Sequence, residues 1–301
     1  MQANFDQELV INTQNLQPYL QLARLDRPVG SLLLLWPTLA ALFIAADGLP
    51  PIGLIIVFTL GTFLMRSAGC VINDYADRNV DGAVKRTENR PLATGMISER
   101  QALGFFAGLT LLAGCLLFFL NRETQLLALG GLGLAVIYPF MKRWTQFPQV
   151  VLGAAFSWGI LMAWTATTGA LTQSAGVMFL GSLLWIVAYD TMYAMVDRED
   201  DLKIGVKSTA ILFGSLDRLM IGILQIGALL AFMLVGNQEN YQYTYFAGVA
   251  AFAALAIYQQ RLIRKRDAQG CFAAFKNNIW AGFAIFVGVV GELSLRMVLS
   301  G

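Results

Sequence analysis

Long apolar runs separated by short polar connections make up most of this chain. Nine runs have about 20 residues, the length with which an α-helix crosses the hydrocarbon core of a membrane. The pattern predicts an all-α membrane protein in which nine transmembrane helices form one bundle, with residues 1–301 as a single domain. The predicted spans are Val29–Ala46, Ile52–Ile72, Ala102–Leu120, Thr124–Met141, Phe147–Thr168, Ala175–Val196, Leu219–Val235, Tyr243–Gln259 and Ile279–Leu299.

The composition agrees with a membrane location and limits the chemistry. Hydrophobic residues make up 57% of the 301 residues and charged residues 13%, whereas a soluble domain carries about 25% charged residues. The chain contains no histidine, which excludes histidine-based catalytic triads and histidine-ligated metal sites. A net charge of +2 gives no reason to expect a nucleic-acid partner. Carboxylates, lysines and arginines must therefore supply any charged chemistry.

Lysine and arginine residues are strongly biased toward one side of the predicted membrane. With the N-terminus inside, 18 of the 21 basic residues fall on the inner side, Arg66 lies within a span, and Arg122 and Arg296 lie outside. Cytoplasmic loops collect such residues. We therefore expect the N-terminal segment 1–28 to be cytoplasmic or interfacial and the C-terminus to lie on the opposite side.

Two acidic segments follow the second and sixth predicted spans, in the cytoplasmic connections 73–100 and 197–218, which we expect to be active-site loops. Near each connection three polar side chains recur every four residues, a step that advances only about 40° around a helix. Each set is therefore predicted to form one stripe, and the four intervening spans return the second stripe to the same membrane face. The stripes are Asn73, Asp77 and Asp81, and Tyr193, Asp197 and Asp201.

These stripes predict a Mg²⁺ site. Carboxylates that face each other where helices enter a membrane repel strongly unless a cation neutralises them. Oxygen ligands without histidine or thiolate favour Mg²⁺, which binds one or two carboxylates together with substrate phosphates. A diphosphate is thus the expected further ligand. The predicted metal ligands are Asn73, Asp77, Asp81, Asp197 and Asp201, and the four aspartates among them are the predicted catalytic residues.

Two further aspartates and several basic residues lie near the stripes. Asp74 lies off the first stripe and is expected either to be solvated or to support the ligands from behind, whereas Asp190 lies partly inside the membrane, where a carboxylate is a functional candidate by default. Basic side chains near the stripes suit the remaining diphosphate oxygens, and Arg86 belongs to them by position. The predicted diphosphate-binding residues are Arg78, Lys85, Lys142, Lys203 and Lys207.

The stripes resemble those of the UbiA-type intramembrane prenyltransferases, which carry an NxxxDxxxD stripe followed by a second acidic stripe. Residues 73–81 read NDYADRNVD and fit the first. The second stripe lies in YDTMYAMVDREDDLKIGVKST, and IYPFMKRWTQFPQ follows the fourth span. Both stretches look like the 4-hydroxybenzoate polyprenyltransferase branch of that family.

The resemblance implies an enzyme of the bacterial inner membrane in ubiquinone biosynthesis. Such an enzyme uses Mg²⁺ to bind a polyprenyl diphosphate and transfers the prenyl group to the ring of 4-hydroxybenzoate, ortho to the hydroxyl. Membrane lipid surrounds the bundle, and the sequence indicates no protein partner. The carboxylate of the acceptor needs a cation. The expected aromatic-substrate-binding residues are Arg27, Arg66, Arg143 and Tyr193.

Three alternatives stay open on the sequence. The same diphosphate site would serve another aromatic acceptor, such as a dihydroxynaphthoate or a haem or chlorophyll precursor. A cation-coupled transporter also carries intramembrane carboxylates, although here they gather at one face and no span is visibly broken in matching halves. A structural membrane scaffold is the weakest alternative, because it gives no reason for two acidic stripes.

Overall fold

Helices account for nearly all of residues 13–84 and 86–300, the part of the chain that the computed structural model describes. They are α1 (Thr13–Leu22), α2 (Val29–Ala46), α3 (Ile52–Asp77), α4 (Glu99–Leu116), α5 (Arg122–Trp144), α6 (Pro148–Thr168), α7 (Gln173–Ile204), α8 (Thr209–Phe213), α9 (Asp217–Gln238), α10 (Tyr243–Leu262) and α11 (Ala268–Ser300). Short 3-10 helices lie at Asp81–Ala83, Leu117–Phe119, Gly214–Leu216 and Ile263–Lys265.

Nine segments of the described chain are long and apolar enough to cross a membrane, which confirms the predicted nine-helix fold. The helices that carry the acidic residues are longer than predicted, because their polar residues continue the helix beyond the apolar part. α3 runs to Asp77 instead of Ile72, and α7 runs to Ile204 instead of Val196. With 32 residues, α7 is about 48 Å long and exceeds the roughly 30 Å hydrocarbon core.

The connection 197–218, predicted as a loop, is largely helical. α7 continues to Ile204, and α8 with the 3-10 helix Gly214–Leu216 leads directly into α9. Gly205 ends α7 with a φ of +72°, a left-handed conformation that glycine adopts without the steric cost of a Cβ. In the connection 73–100 the first residues belong to α3, so the acidic side chains sit on or close to rigid helix ends.

Side-chain caps define where several spans begin. Ser98 forms a capping box with Gln101 at the start of α4, and the side chains of Asn121 and Thr172 accept backbone hydrogen bonds at the starts of α5 and α7. These caps satisfy N–H groups that have no partner inside a helix.

The core lies between α2, α6, α7, α9, α10 and α11 and is rich in large side chains such as Leu33, Trp185 and Phe252. Leu111 and Phe118, on α4 and directly after it, are largely exposed, as expected for side chains that face lipid. α4 packs on α3, and α5 packs on α6. This peripheral arrangement leaves a space among α2 to α6 that the core does not fill.

α10 and α11 approach each other closely through glycines. A Cβ built on Gly248 would lie 2.6 Å from the carbonyl oxygen of Ala284 and 3.0 Å from the Cα of Gly288. Small residues at such positions let helix backbones come together in lipid, where packing drives helix association.

Replacing Gly248 by alanine is expected to lower stability by about 1–3 kcal/mol, since the new Cβ forces the two backbones apart. Gly104→Ala is the matched control, because nothing lies within 4 Å of a Cβ at that position and the gain in helix propensity is the same. Thermal unfolding of the purified variants in detergent measures the difference. Equal midpoints for the two variants would contradict the close packing.

Candidate functional site

A cavity of about 1280 Å³ is lined by residues of α2 to α7 and of α11. Its polar end is lined by Asn73, Asp74, Arg86 and residues near them, and its apolar part reaches Val57 and Leu117. Val57 and Asn73 lie 16 residues apart on α3, which corresponds to about 24 Å. The cavity therefore extends through most of the hydrocarbon thickness of about 30 Å. Its shape and lining fit an amphiphile with an anionic head and a long hydrocarbon tail.

The first acidic segment is divided between a helix and a turn. Asn73 and Asp77 lie on the last turns of α3, where Asn73 Nδ2 donates to Asp77 Oδ2 at 3.4 Å. Asp81 lies beyond the helix end, at the start of the 3-10 helix Asp81–Ala83. The prediction of one helical stripe is therefore wrong for Asp81, because the following NVDG sequence has low helix propensity. The turn nevertheless keeps Asp81 close enough for the charge of Asp77 to act on it.

The second segment forms the predicted stripe. Tyr193, Asp197 and Asp201 all lie on α7, four residues apart on one continuous helix. Tyr193 packs against Phe275 with ring centroids 4.7 Å apart. The stripe therefore stands on a helix that is anchored in the core and emerges from it.

Basic side chains join the two segments. Arg86, in the loop after α3, donates through Nε to Asp197 Oδ1 at 2.8 Å and also contacts Asp197 Oδ2 through Nη2. Lys142, on α5, bonds to Asp77, and its charge also acts on Asp201. Two stretches that are 120 residues apart in the chain thus meet at one end of the cavity.

Asp74 takes the second of its two expected roles. Its side chain is 1% exposed, and it forms ion pairs with Arg24 and Arg90. Arg90 also bonds to Asp81 at 2.9 Å. Burial raises the pKa of the Asp81 carboxyl above its ordinary value, Arg90 opposes this, and the charges of Asp77 and Asp74 add to it. Arg90 thus neutralises two buried carboxylates at once.

Sequence reasoning missed Arg24 and Arg90 and named Arg86 only by its position near the stripes. The spacing rule finds side chains on one helix, whereas these arginines come from an N-terminal helix end and from a loop. One general signal was present, since a buried carboxylate is almost always paired. It does not say which of the many nearby arginines is the partner.

Some of the predicted diphosphate-binding residues lie at the carboxylates and others point away from them. Lys142 lies among the carboxylates, and the backbone N–H of Lys207 donates to the carbonyl oxygen of Lys142 at 3.0 Å. Arg78 turns to Glu99 and lies over the ring of Tyr75. Lys203 is 71% exposed and pairs with Asp200. Lys85 lies outside the described residues.

The predicted aromatic-substrate-binding residues also lie in different places relative to the cavity. Arg66 and Tyr193 line the cavity wall, and Arg27 lies at its mouth with an 82% exposed side chain. Arg143 donates to the carbonyl oxygen of Ala76 and is not part of the wall.

Arg66 is the unusual member of that set. Nη1 donates to Cys70 Sγ at 2.9 Å, and the guanidinium lies 5.2 Å from the ring centroid of Phe156. Nε is buried and has no hydrogen-bond partner in the described part of the chain. A Cβ on Gly30 would lie 2.6 Å from this Nε, so glycine leaves the space in which the guanidinium sits. An incompletely bonded cation in an apolar cavity suits an anionic ligand group.

The donor set fits a magnesium ion that binds together with a phosphate ligand. Asp77 Oδ1 is buried without a hydrogen-bond partner among the described residues, beside the amide of Asn73. In residues 13–84 and 86–300 no three or more acidic, cysteine or histidine side chains form a metal cage by themselves. Mg²⁺ characteristically keeps waters and takes its remaining ligands from phosphates. The orphaned oxygen therefore fits such an ion.

Comparisons with known proteins agree with this geometry. The sequence profile of the UbiA prenyltransferase family matches residues 34–284. The 4-hydroxybenzoate octaprenyltransferase of Tolumonas auensis is 57% identical over 274 residues, which cover 91% of this chain and 96% of the relative. The enzyme of the same name from Ectopseudomonas mendocina is 54% identical over 292 residues, covering 96% of this chain and 99% of the relative.

Solved structures share the fold at lower sequence identity. A UbiA homologue from Aeropyrum pernix K1, without ligand, aligns with a TM-score of 0.78 and 21% identity, covering 87% of this chain and 97% of that chain. A UbiA homologue from Archaeoglobus fulgidus bound to GPP and Mg²⁺ aligns with a TM-score of 0.68 and 18% identity, covering 91% of this chain and 99% of that chain.

Replacing Arg90 by methionine is expected to cost about 2–3 kcal/mol of stability, because it removes a cation shared by two buried carboxylates. Lys203→Met is the control, since its exposed pair with Asp200 is worth at most about 1 kcal/mol. Thermal unfolding in detergent measures both, and adding Asp81→Asn to the Arg90 variant is expected to recover part of the loss. Equal destabilisation by Arg90→Met and Lys203→Met would contradict the buried network.

Proposed function

Because this chain belongs to the UbiA prenyltransferase family, we propose that it catalyses the reaction for which its closely similar relatives are named. It transfers the polyprenyl group of a polyprenyl diphosphate to the ring carbon of 4-hydroxybenzoate ortho to the hydroxyl, and it releases diphosphate. The observation that carries the proposal is one cavity whose polar end holds Asn73, Asp74 and Arg86, beside the Asp197 carboxylate that Arg86 binds, and whose remaining wall is long and apolar. The names of the relatives favour this acceptor and an octaprenyl donor.

The metal in this proposal is Mg²⁺, held by Asn73, Asp77, Asp81, Asp197 and Asp201. When bound, it neutralises the charge that develops on the diphosphate leaving group. Asp77 Oδ1, which has no partner in the described part of the chain, is the first ligand oxygen that we assign. Asp197 and Asp201 approach the same place from α7.

In this proposal Arg86 and Lys142 bind carboxylates first and phosphate oxygens afterwards. Arg86 and Lys142 bond to Asp197 and Asp77, which neutralises these carboxylates. With metal and diphosphate present, the two side chains are free to bind phosphate oxygens, a geometry for which arginine is well suited. Lys207 lies next to Lys142 and belongs to the same set. Lys85 keeps its predicted role in diphosphate binding, whereas Arg78 and Lys203 are engaged elsewhere.

The apolar part of the cavity binds the isoprenoid tail and excludes water. Phe156, Trp158 and Met162 line it, and Trp158 Nε1 donates to the carbonyl oxygen of Leu127 at 2.7 Å. The C1–O bond of the prenyl diphosphate breaks with its electron pair on the diphosphate, and the ring carbon bonds to C1. The ring carbon then loses its proton to the released diphosphate, which restores aromaticity. Aromatic faces near the reacting carbon stabilise the developing allylic cation, and exclusion of water prevents its hydrolysis.

Arg66 is our choice for the carboxylate of 4-hydroxybenzoate. It lies seven residues before Asn73 on α3, which places it about 10 Å deeper on nearly the same helix face. Tyr193 lines the cavity above it and is close enough to stack on an aromatic acceptor. Arg27 and Arg143, also predicted from sequence, have less suitable positions at the mouth and behind the wall.

The protein is an integral membrane protein with nine apolar helices in the described chain. We further propose that it forms one prenyltransferase domain in the bacterial inner membrane. The bias of 18 basic residues toward one side supports a cytoplasmic N-terminus and active site and a C-terminus on the opposite side.

Membranes that contain the protein should form octaprenylated 4-hydroxybenzoate from octaprenyl diphosphate and 4-hydroxybenzoate, with a product mass that identifies both halves. Asp77→Asn and Asp197→Asn should each lower turnover at least about 100-fold, since each removes charge that stabilises the leaving group. EDTA should abolish the activity, and Mg²⁺ should restore it. Asp200→Asn is the control that keeps full activity, because Asp200 pairs with exposed Lys203. Absence of this product from wild-type membranes would refute the proposed reaction.

Arg66→Gln is expected to raise the KM for 4-hydroxybenzoate about 10-fold or more, because a charge-assisted hydrogen bond to the carboxylate is lost. Gly30→Ala should raise it less, since the new Cβ displaces the guanidinium without removing its charge. Arg27→Gln serves for comparison and should leave this KM unchanged. Steady-state kinetics at saturating prenyl diphosphate measure all three. An unchanged KM in Arg66→Gln would remove Arg66 from the acceptor site.

A further inference from the structure

A second polar layer lies in the cavity below the diphosphate site. Arg66, Tyr138, Tyr189 and Asp190 all line the cavity, and their charges and dipoles act on one another. Asp190 precedes Asp197 by seven residues on α7, just as Arg66 precedes Asn73 on α3. Both side chains are therefore about 10 Å deeper than the carboxylate cluster and on nearly the same faces of their helices. The reaction described above assigns Asp190 no role.

Asp190 is a carboxylate that is costly to place in a membrane-embedded cavity. It forms no ion pair within the described residues, although the charge of Arg66 acts on it. The hydroxyl of Tyr189, beside it in the chain, is buried without a partner in residues 13–84 and 86–300.

Gln149 fixes the orientation of Asp190. The Oε1 atom of Gln149 accepts the backbone N–H of Thr209 at 3.0 Å, which leaves its amide N–H groups to face Asp190, on which Gln149 acts as a hydrogen-bond donor. α6, α7 and the start of α8 thus hold the carboxylate in place. A fixed carboxylate with remaining lone pairs is able to accept a further hydrogen bond.

The acceptor offers a matching group. If Arg66 binds its carboxylate, the phenolic hydroxyl at the other end of the ring must find a hydrogen-bond acceptor within the same layer. Tyr138 and Tyr189 also have hydroxyl oxygens there, but a carboxylate is a far stronger proton acceptor than a neutral hydroxyl, so Asp190 is the base of this layer. Removal of the hydroxyl proton makes the ring a much stronger carbon nucleophile.

We propose that Asp190 is a catalytic residue whose carboxylate accepts the proton of the acceptor's phenolic hydroxyl as the ring attacks the prenyl group. This inference rests on the proposed function. The O–H electron pair moves into the ring, the ortho carbon bonds to C1, and the C1–O pair leaves with diphosphate. The ortho carbon then gives its proton to the released diphosphate, and Asp190 returns its proton to the ring oxygen, which restores the phenol.

Asp190→Asn, compared on two acceptors, tests this role. Asparagine keeps the size and a hydrogen bond but accepts no proton, so kcat with 4-hydroxybenzoate should fall about 100-fold or more while the KM for octaprenyl diphosphate stays the same. With 3-fluoro-4-hydroxybenzoate the phenol is more acidic and ionises without help. The ratio of wild-type to variant kcat should then shrink to about 10-fold or less, because a smaller share of the barrier depends on the base.

The controls separate a chemical role from a structural one. Asp190→Glu should regain part of the kcat, since it restores a carboxylate, and Asp200→Asn should match wild type on both acceptors. An equal loss on both acceptors, or a loss confined to the KM for 4-hydroxybenzoate, would overturn the proposal and leave Asp190 as a positioning residue.

If wild type itself forms no prenylated product, the proposed function fails. If wild type is active and Asp190→Asn keeps its kcat, the function stands and this inference fails. Should Asp190→Asn not fold, Asp190→Glu is measured on the two acceptors instead. A large loss of kcat that is equal on both acceptors would then contradict proton transfer.

Discussion

The site depends on the neutralisation of several carboxylates that are held together where two helices leave the hydrocarbon. Such charges repel in a low dielectric, so the fold must supply cations for as long as the carboxylates are buried. Arg24, Arg86, Arg90 and Lys142 do so. In the proposed function a metal and a diphosphate offer a different set of charges to the same carboxylates, so their binding requires an exchange of ion-pair partners. The long helices α3 and α7 keep the carboxylates in place during that exchange.

In the proposed function, different parts of the reaction take place at different depths of the cavity. Arg66 and Asp190 lie about two helical turns deeper, seven residues before Asn73 and Asp197, at the level where an aromatic acceptor meets the first carbon of the prenyl chain. The remaining space is apolar and passes between helices whose outer faces meet lipid. Packing alone explains why this space stays open, since α4 and α5 lie at the periphery and the large core side chains belong to the other helices.

The fold and part of the site could be predicted from sequence, because both depend on periodic patterns. Nine apolar runs predicted nine spans, and the four-residue spacing correctly placed Tyr193, Asp197 and Asp201 on one helix. The spacing failed at Asp81, where the chain leaves the helix. It also gave no partner for Asp74, whose burial depends on arginines from just after α1 and from the loop after α3. These ion-pair partners come from distant parts of the chain, so a periodic pattern along the sequence does not predict them.

The central claim is that both acidic segments bind one metal–diphosphate unit. Mn²⁺ in place of Mg²⁺ allows this to be measured by electron paramagnetic resonance, with a non-reactive thiolo analogue of the prenyl diphosphate. Binding of Mn²⁺ should be strengthened by the analogue, and charge removal at either α3 or α7 should weaken it to a similar degree. Mn²⁺ binding that is independent of the analogue, or that is weakened from one segment only, would contradict a shared site.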